Sequence, residues 1–331
     1  MSGSTRQGDD RLGFYDQLLH DERRHQFYSR ALGWVMFVSM VAIVVLGVVA
    51  AGQRAPADPE CRAASAALPP AIEPMQLELE RDALRVRRLL RGPDEIRYPT
   101  PPAYSEALCV EARAGRHRDL LGLDSAVFIP LYLMLGLCAL AWYYFLALRA
   151  RGADWARRGR VPLALIAWLL ASAALLAVAA WRDAAENKAA QAVLDYALGG
   201  APITGSASDW RGTVATMHAA SVCKWSALAV WAATLAVLAG LRRRSLSLPR
   251  GSERRRRWSA GVAWLVLASA LVATVALGAG AVLAWGASAE AARHSATQLL
   301  DIGFGAVLCH AVLLFVLHRL HLPRRMVLPA S

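Results

Sequence analysis

Six apolar stretches constrain this chain more than any other feature. They fall near residues 31–51, 126–148, 161–181, 213–240, 258–285 and 298–318. Each approaches or exceeds the roughly 20 residues that cross about 30 Å of hydrocarbon at 1.5 Å per residue. Hydrophobic residues make up 56% of the 331, and charged residues only 19%, too few to cover a soluble domain of ordinary proportions. Buried helices of a large soluble protein do not account for six such runs in one chain. The expectation is an all-α integral membrane protein with six transmembrane helices and a small helical extracytoplasmic cap.

The net charge of +12 raises nucleic acid as a partner, and its distribution argues against one. Residues 1–30 balance five basic against five acidic residues, residues 149–160 carry five arginines against Asp154, and residues 241–257 carry eight arginines against Glu253. The C-terminal tail adds Arg319, Arg324 and Arg325, whereas the connections 52–120, 182–212 and 286–296 are close to neutral. Arginine excess thus alternates with balanced charge at each crossing, the pattern of the positive-inside rule. It implies a plasma (inner) membrane protein with both termini cytoplasmic and residues 52–124 extracytoplasmic. The run at 242–257 then reads as a topology anchor and a contact for anionic lipid rather than a nucleic-acid site.

These considerations divide the chain into a cytoplasmic segment 1–30, a first span 31–51, an extracytoplasmic segment 52–124 and a five-helix membrane domain 125–331. The first span is preceded by about 30 polar residues with five acids, too long and too acidic for a cleaved signal, so it reads as an uncleaved anchor. In the segment MQLELERDALRVRRLLRG (75–92) the first six residues alternate as a strand would. Leu79, Ala83, Val86 and Leu90 nevertheless recur at helical spacing, and the expectation is a helix from about residue 74, with Pro74 at its first position. Short helices are expected from Tyr104 to Arg113 and from Arg116 to Leu121. The segment is too small for an independent core and should rest on the membrane domain as a cap. Cys61 and Cys109 both lie in it, and an oxidising compartment would allow them to pair. Asp124 or Ser125 is placed to cap the second span and Pro130 to kink it.

One lysine within an apolar run identifies the candidate site. Lys224 sits part-way along the fourth run, where an ammonium costs about 2.5–3.5 kcal/mol on insertion scales unless it is answered by a partner or by water. Its natural partners lie at the end of the preceding helix, where Asp183, Glu186 and Asn187 are spaced to share one face. His218, Ser221 and Lys224, three residues apart, form a facing set, and Asp301 near the start of the sixth run lies at similar depth. Three readings follow. A carboxylate neutralises Lys224 and locks helices three and four together, or both sets line a hydrated cavity that opens outward, or Lys224 reaches toward the interface along its flexible stem.

Other chemistries lack their signals. His218 and His310 are the only histidines well inside spans, and they sit at different depths, so no level axial pair for haem is available. His20, His25, His117, His294, His318 and His321 lie at ends or in connections and are expected to be solvated. The chain has no C-x-x-C or H-E-x-x-H motif, no G-x-S-x-G context for Ser221 or Ser226 and no glycine-rich phosphate loop. No cofactor and no metal site is expected.

The outer segment MQLELERDALRVRRLL, the opening LDSAVFIPLY, the cluster DAAEN and the lysine-bearing CKWSAL together resemble a recurring group of bacterial multi-pass membrane proteins to which no activity is attached. The resemblance covers roughly residues 72–240 and falls on Asp124, Pro130, Tyr132, Asp183, Glu186, Asn187 and Lys224. It implies that the carboxylate–lysine set belongs together, with Asp124 and Tyr132 around it. The last two spans and the arginine-rich connection lie outside it.

The functional expectation is a non-catalytic membrane role: binding or passing a small ligand, lipid or ion at an outward-facing polar cavity. Membrane lipids are the expected surroundings, and a membrane-protein partner or a second copy of the chain is a further expected contact. The alternatives are an ion-coupled transporter, an intramembrane lipid-modifying enzyme using Asp183, Glu186 and His218, and an accessory subunit whose lysine–carboxylate lock is purely structural. No inverted repeat is visible to favour the transporter.

Overall fold

In a computed structural model of the chain, the described residues are 22–52, 77–82, 85–86, 115, 117–151, 163–197, 207–246, 253–286 and 290–321. They form six long helices: α1 (Glu22–Gly52), α2 (Ile129–Arg151), α3 (Leu163–Ala197), α4 (Ala207–Leu246), α5 (Glu253–Gly286) and α6 (Glu290–His321). All six are long and apolar enough to cross a membrane. Cys61, Cys109 and the short helix expected from Tyr104 lie outside the described residues, as do Pro74 and the middle of the arginine-rich connection, 247–252.

Each helix packs against the next, and α6 returns to α1, so the bundle closes on itself. The helices run antiparallel in turn, and α4, which also touches α2 across the middle, is the most buried of the six. One end of the bundle gathers the Lys224 region and is called the polar end. The other carries Arg30, Arg254, Arg256, Arg257 and Arg319 and is called the arginine end. The faces turned away from the bundle are apolar as well: Val38, Val48, Leu170, Val275 and Val282 are all exposed.

Two local expectations require correction. Neither Asp124 nor Ser125 caps a helix, because the helical run already begins at His117 and nothing in HRDLLGL breaks it. Instead Asp124–Phe128 form a π-helical turn in which the Ile129 N–H donates to the Asp124 carbonyl. This wider turn immediately precedes Pro130, whose ring nitrogen has no hydrogen to offer the preceding turn, so the expected distortion takes this form. The second correction concerns the helix expected from about residue 74. Leu77 and Glu78 are helical, but the chain turns at Leu79 and Glu80–Asp82 have no regular structure. Here burial outweighs helix propensity: Leu77, Glu78, Leu79 and Glu80 are all buried, with successive side chains drawn to different partners. Leu77 joins a cluster with Ala190, Val193 and Leu194 of α3 and Val214 and Met217 of α4, whereas Leu79 joins Val222, Leu277, Ala281 and Leu300 of α4, α5 and α6.

Small residues set the closest approach of helices, and α5 and α6 interlock through a reciprocal pair. Leu300 of α6 fills the notch at Gly280, where a Cβ would come within 2.8 Å of it. Leu277 of α5 fills the notch at Gly303, where a Cβ would meet its side chain at 2.6 Å and its backbone nitrogen at 2.9 Å. Gly278, by contrast, faces open space. Gly303→Ala should therefore lower stability by about 1–3 kcal/mol through overpacking, because the obstructing atoms include backbone. Gly278→Ala should leave the melting temperature in detergent unchanged or slightly raised. Equal melting of the two variants would refute this packing.

Candidate functional site

Lys224 lies on the buried face of α4, and its ammonium is surrounded by carboxylates from two other elements. Nζ is 2.9 Å from Asp183 Oδ1 and 2.5 Å from Glu186 Oε2, both on α3, and 3.7 Å from Glu78 Oε2 on the 77–82 segment. The Asp183 contact is a hydrogen bond. The Glu186 contact is an ion pair without hydrogen-bond alignment, since neither Glu186 oxygen has a hydrogen-bond partner among the described residues. Lys224, Asp183 and Glu186 are each buried, Glu186 completely. The Tyr132 hydroxyl of α2 donates to Asp183 Oδ2 at 3.0 Å and holds that carboxylate in place. Asn187, one residue past Glu186, donates through Nδ2 to Asp124 Oδ2 at 2.6 Å and to Ser125 Oγ at 3.0 Å.

Three carboxyl groups crowd a single buried ammonium, so the cluster holds more acidic groups than cations. Glu78, which belongs to the 77–82 segment, is held below its ordinary value of 4.5. Burial pushes it upward, and the Lys224 ammonium, helped by Glu186 and His117, pulls it down further than burial raises it.

A second polar layer ties the same segment to the bundle. Arg81 Nε donates to His218 Nε2 at 2.6 Å, and its guanidinium also reaches the Trp285 carbonyl at the end of α5. His218 Nδ1 lies 3.1 Å from the Leu79 carbonyl. An arginine can only donate, so Nε2 accepts and the ring proton sits on Nδ1, donated to Leu79. Glu80 accepts from the backbone N–H groups of Arg81 and Asp82 and pairs with Arg293 of α6 at 3.3 Å.

Below this layer lies a cavity of about 330 Å³. Its polar wall contains Glu78, Asp124, Asp183, Lys224 and Asp301, and its apolar wall contains Leu46, Phe128, Leu228 and Phe304. His117 and Trp225 also line it, and each has a buried ring nitrogen without a hydrogen-bond partner among the described residues. Such unsatisfied groups beside an open volume are where a bound molecule or water would find partners.

The structure thus places Asp183, Lys224, Asp124, Tyr132, Asn187 and Asp301 around one cavity, with Glu186 behind Lys224. It does not place His218 and Ser221 there. His218 is turned to Arg81 and Leu79, and the Ser221 hydroxyl is fully buried without a hydrogen-bond partner among the described residues. The reason is helical geometry: residues three apart are rotated by about 300°, so across two such steps the side chains fan away from the wall that Lys224 faces. His318, expected to be solvated, is buried and accepts from Trp142 Nε1 at 3.1 Å. Glu78, Glu80, Arg81 and Arg293 were not singled out from the sequence. The one signal was the strand-like alternation LELE at 77–80, which puts leucines and glutamates in opposite directions. Compared with known protein families, curated proteins and solved structures, the chain matches none.

Because the folded-state value of Glu78 is depressed, its contribution to docking the 77–82 segment is fully present above its ordinary value and is lost as pH falls through the lower folded-state value. Melting followed from about pH 7 to about pH 3 should show an acid-side loss of stability that Glu78→Gln reduces. An identical acid profile in the variant would count against the Glu78–Lys224 pair. Lys224→Met leaves the carboxyl cluster without its cation and should cost about 3–5 kcal/mol, read as a loss of folded protein in detergent.

Proposed function

We propose that this chain is a six-span membrane protein that binds a small amphiphile with a cationic head in the cavity beside Lys224. Apolar outward faces on the helices support the membrane reading, and arginine concentrated at one end supports an orientation with that end and both termini cytoplasmic. On this reading the protein sits in the plasma (inner) membrane, and residues 52–124 form an extracytoplasmic cap, of which 77–82 is the part that plugs the bundle. The cavity then opens toward the outer half of the bilayer.

The observation that carries the ligand assignment is the charge of the cavity wall. Lys224 is in contact with Glu78, Asp183 and Glu186, and Asp124 adds a further carboxyl group to the wall, so the described lining holds more carboxyl groups than cations. Opposite them stand Leu46, Phe128, Leu228 and Phe304, a surface suited to an alkyl or aromatic tail. Binding is favoured over passage because the next cavity along the bundle holds only about 30 Å³ and is lined largely by apolar groups such as Leu135, Leu176 and Leu235. The lipid-modifying alternative loses its acid–base partner, since His218 faces Arg81 rather than the carboxylates.

The test uses the protein in lipid nanodiscs and the fluorescence of Trp225, which lines the cavity. Octylammonium should bind saturably, and Asp124→Asn combined with Asp301→Asn should weaken it on the order of tenfold while the melting temperature changes little. Octyl sulfate binding as tightly as octylammonium, or unchanged affinity in the double variant, would refute the assignment.

A further inference from the structure

A second cavity, of about 230 Å³, lies at the arginine end between α1 and α6. Its walls carry Arg30 and Arg319, and no carboxylate lines it among the described residues. Neither guanidinium is paired with a carboxylate among the described residues. The rest of the wall is aromatic and ordered by ring contacts. Phe37 stacks on Phe315 with centroids 5.4 Å apart, Trp34 meets Phe37 edge-on at 6.0 Å, and Arg319 lies over Phe315 at 6.0 Å.

His318 stands beside the two arginines in the same wall. An indole N–H can only donate, so His318 Nδ1 accepts from Trp142 and the ring proton sits on Nε2. That nitrogen faces Gly33, where a Cβ would come within 2.5 Å of it, and Gly33 lines the same cavity. The glycine therefore lets the imidazole reach the α1 side. Beyond the aromatic floor, Val38 and Val41 of α1 and Val312 and Val316 of α6 are exposed along the same seam.

We infer that this cavity binds the phosphodiester head of an anionic phospholipid, with its acyl chains lying along the α1–α6 seam. Two guanidinium groups without a carboxylate partner among the described residues match the oxygens of a phosphodiester, as an isolated cation would not. The apolar seam that continues from the cavity selects a lipid over free phosphate. Basic pockets between spanning helices at the cytoplasmic side are a recurrent form of such recognition. This inference rests on the membrane reading above, but not on the ligand proposed for the polar end. It also differs from a diffuse contact through 242–257, because it requires a defined pair of arginines on different helices.

Native mass spectrometry of the detergent-extracted chain, with phosphatidylglycerol or phosphatidylcholine added, tests it. Wild type should retain phosphatidylglycerol preferentially, and Arg30→Ala with Arg319→Ala should reduce that retention on the order of tenfold. Arg30→Lys with Arg319→Lys should keep more than the alanine pair but less than wild type, and Arg254→Ala with Arg256→Ala, which leaves the cavity intact, should keep nearly all. Retention unchanged in the first double variant, or an equal loss in the Arg254/Arg256 variant, would overturn the site. Effective competition by millimolar inorganic phosphate would overturn the choice of a lipid. Alkaline extraction of cell membranes tests the membrane reading separately: release of the chain into the soluble fraction would sink that reading, whatever the lipid result.

Discussion

The structure depends on a single buried ammonium and the carboxyl groups it gathers. Left alone, Lys224 would be expensive anywhere along α4, and no single neighbour has enough charge and reach to satisfy it while also closing the bundle. The solution uses two elements. Asp183 and Glu186 fix the register of α3 against α4, and Glu78 draws a segment far away in sequence into the top of the bundle. Once Glu78 is seated, the turn at Leu79 sends leucines 77 and 79 into separate apolar clusters, and Glu80 and Arg81 meet Arg293 and His218. A helical continuation through Leu79 would send Glu80 and Arg81 elsewhere, which is why propensity loses there.

Buried polar groups elsewhere in the bundle are handled differently. His310 is almost wholly buried, but it is satisfied locally, by the Val266 carbonyl at 2.9 Å and by Tyr143 and Ser269 at 3.3 Å and 3.2 Å. His318 is likewise bonded to Trp142. These histidines pin α2, α5 and α6 to one another as neutral groups. The Lys224 cluster is distinct because its charges do not cancel by count. An excess of carboxyl groups in a buried place favours a cation, so a cavity beside it is chemically biased rather than merely empty.

The sequence made much of this legible, and the limits have physical causes. The helices could be read because each is a long apolar run, and the lysine stood out because it violates that run. Asp183 and Glu186 could be found because i and i+3 share a helix face and sit next to Lys224 in the chain. Glu78 could not be found that way. It reaches the site from a polar segment where acids are common, and nothing local marks one glutamate among several as buried. His218 misled for the opposite reason. Its spacing from Lys224 suggested a shared face, but the 77–82 segment offered it the Leu79 carbonyl and the Arg81 guanidinium, and those partners lie off the cavity. A cap at Asp124 was a reasonable inference from a polar residue before an apolar run, but it failed because that helix starts earlier and Asp124 is bonded to Asn187.

The two cavities share a structural origin. Among neighbouring helices around the ring, α1 and α6 close the bundle with the least extensive contact, and both cavities take part of their walls from these two helices. Leu46 and Gly47 of α1 face Asp301 and Phe304 of α6 at the polar end, whereas Arg30 and Trp34 face Phe315 and Arg319 at the other. Between them Met36, Met40 and Ile43 seal α1 to the core. A helix held mainly by its middle leaves gaps toward both ends, and the charges that line those gaps differ in sign. Carboxyl groups at one end and guanidinium groups at the other give the two proposed sites walls of opposite character. A molecule entering either gap from a bilayer would do so sideways, past α1, without disturbing the Lys224 cluster that holds α3, α4 and the 77–82 segment together.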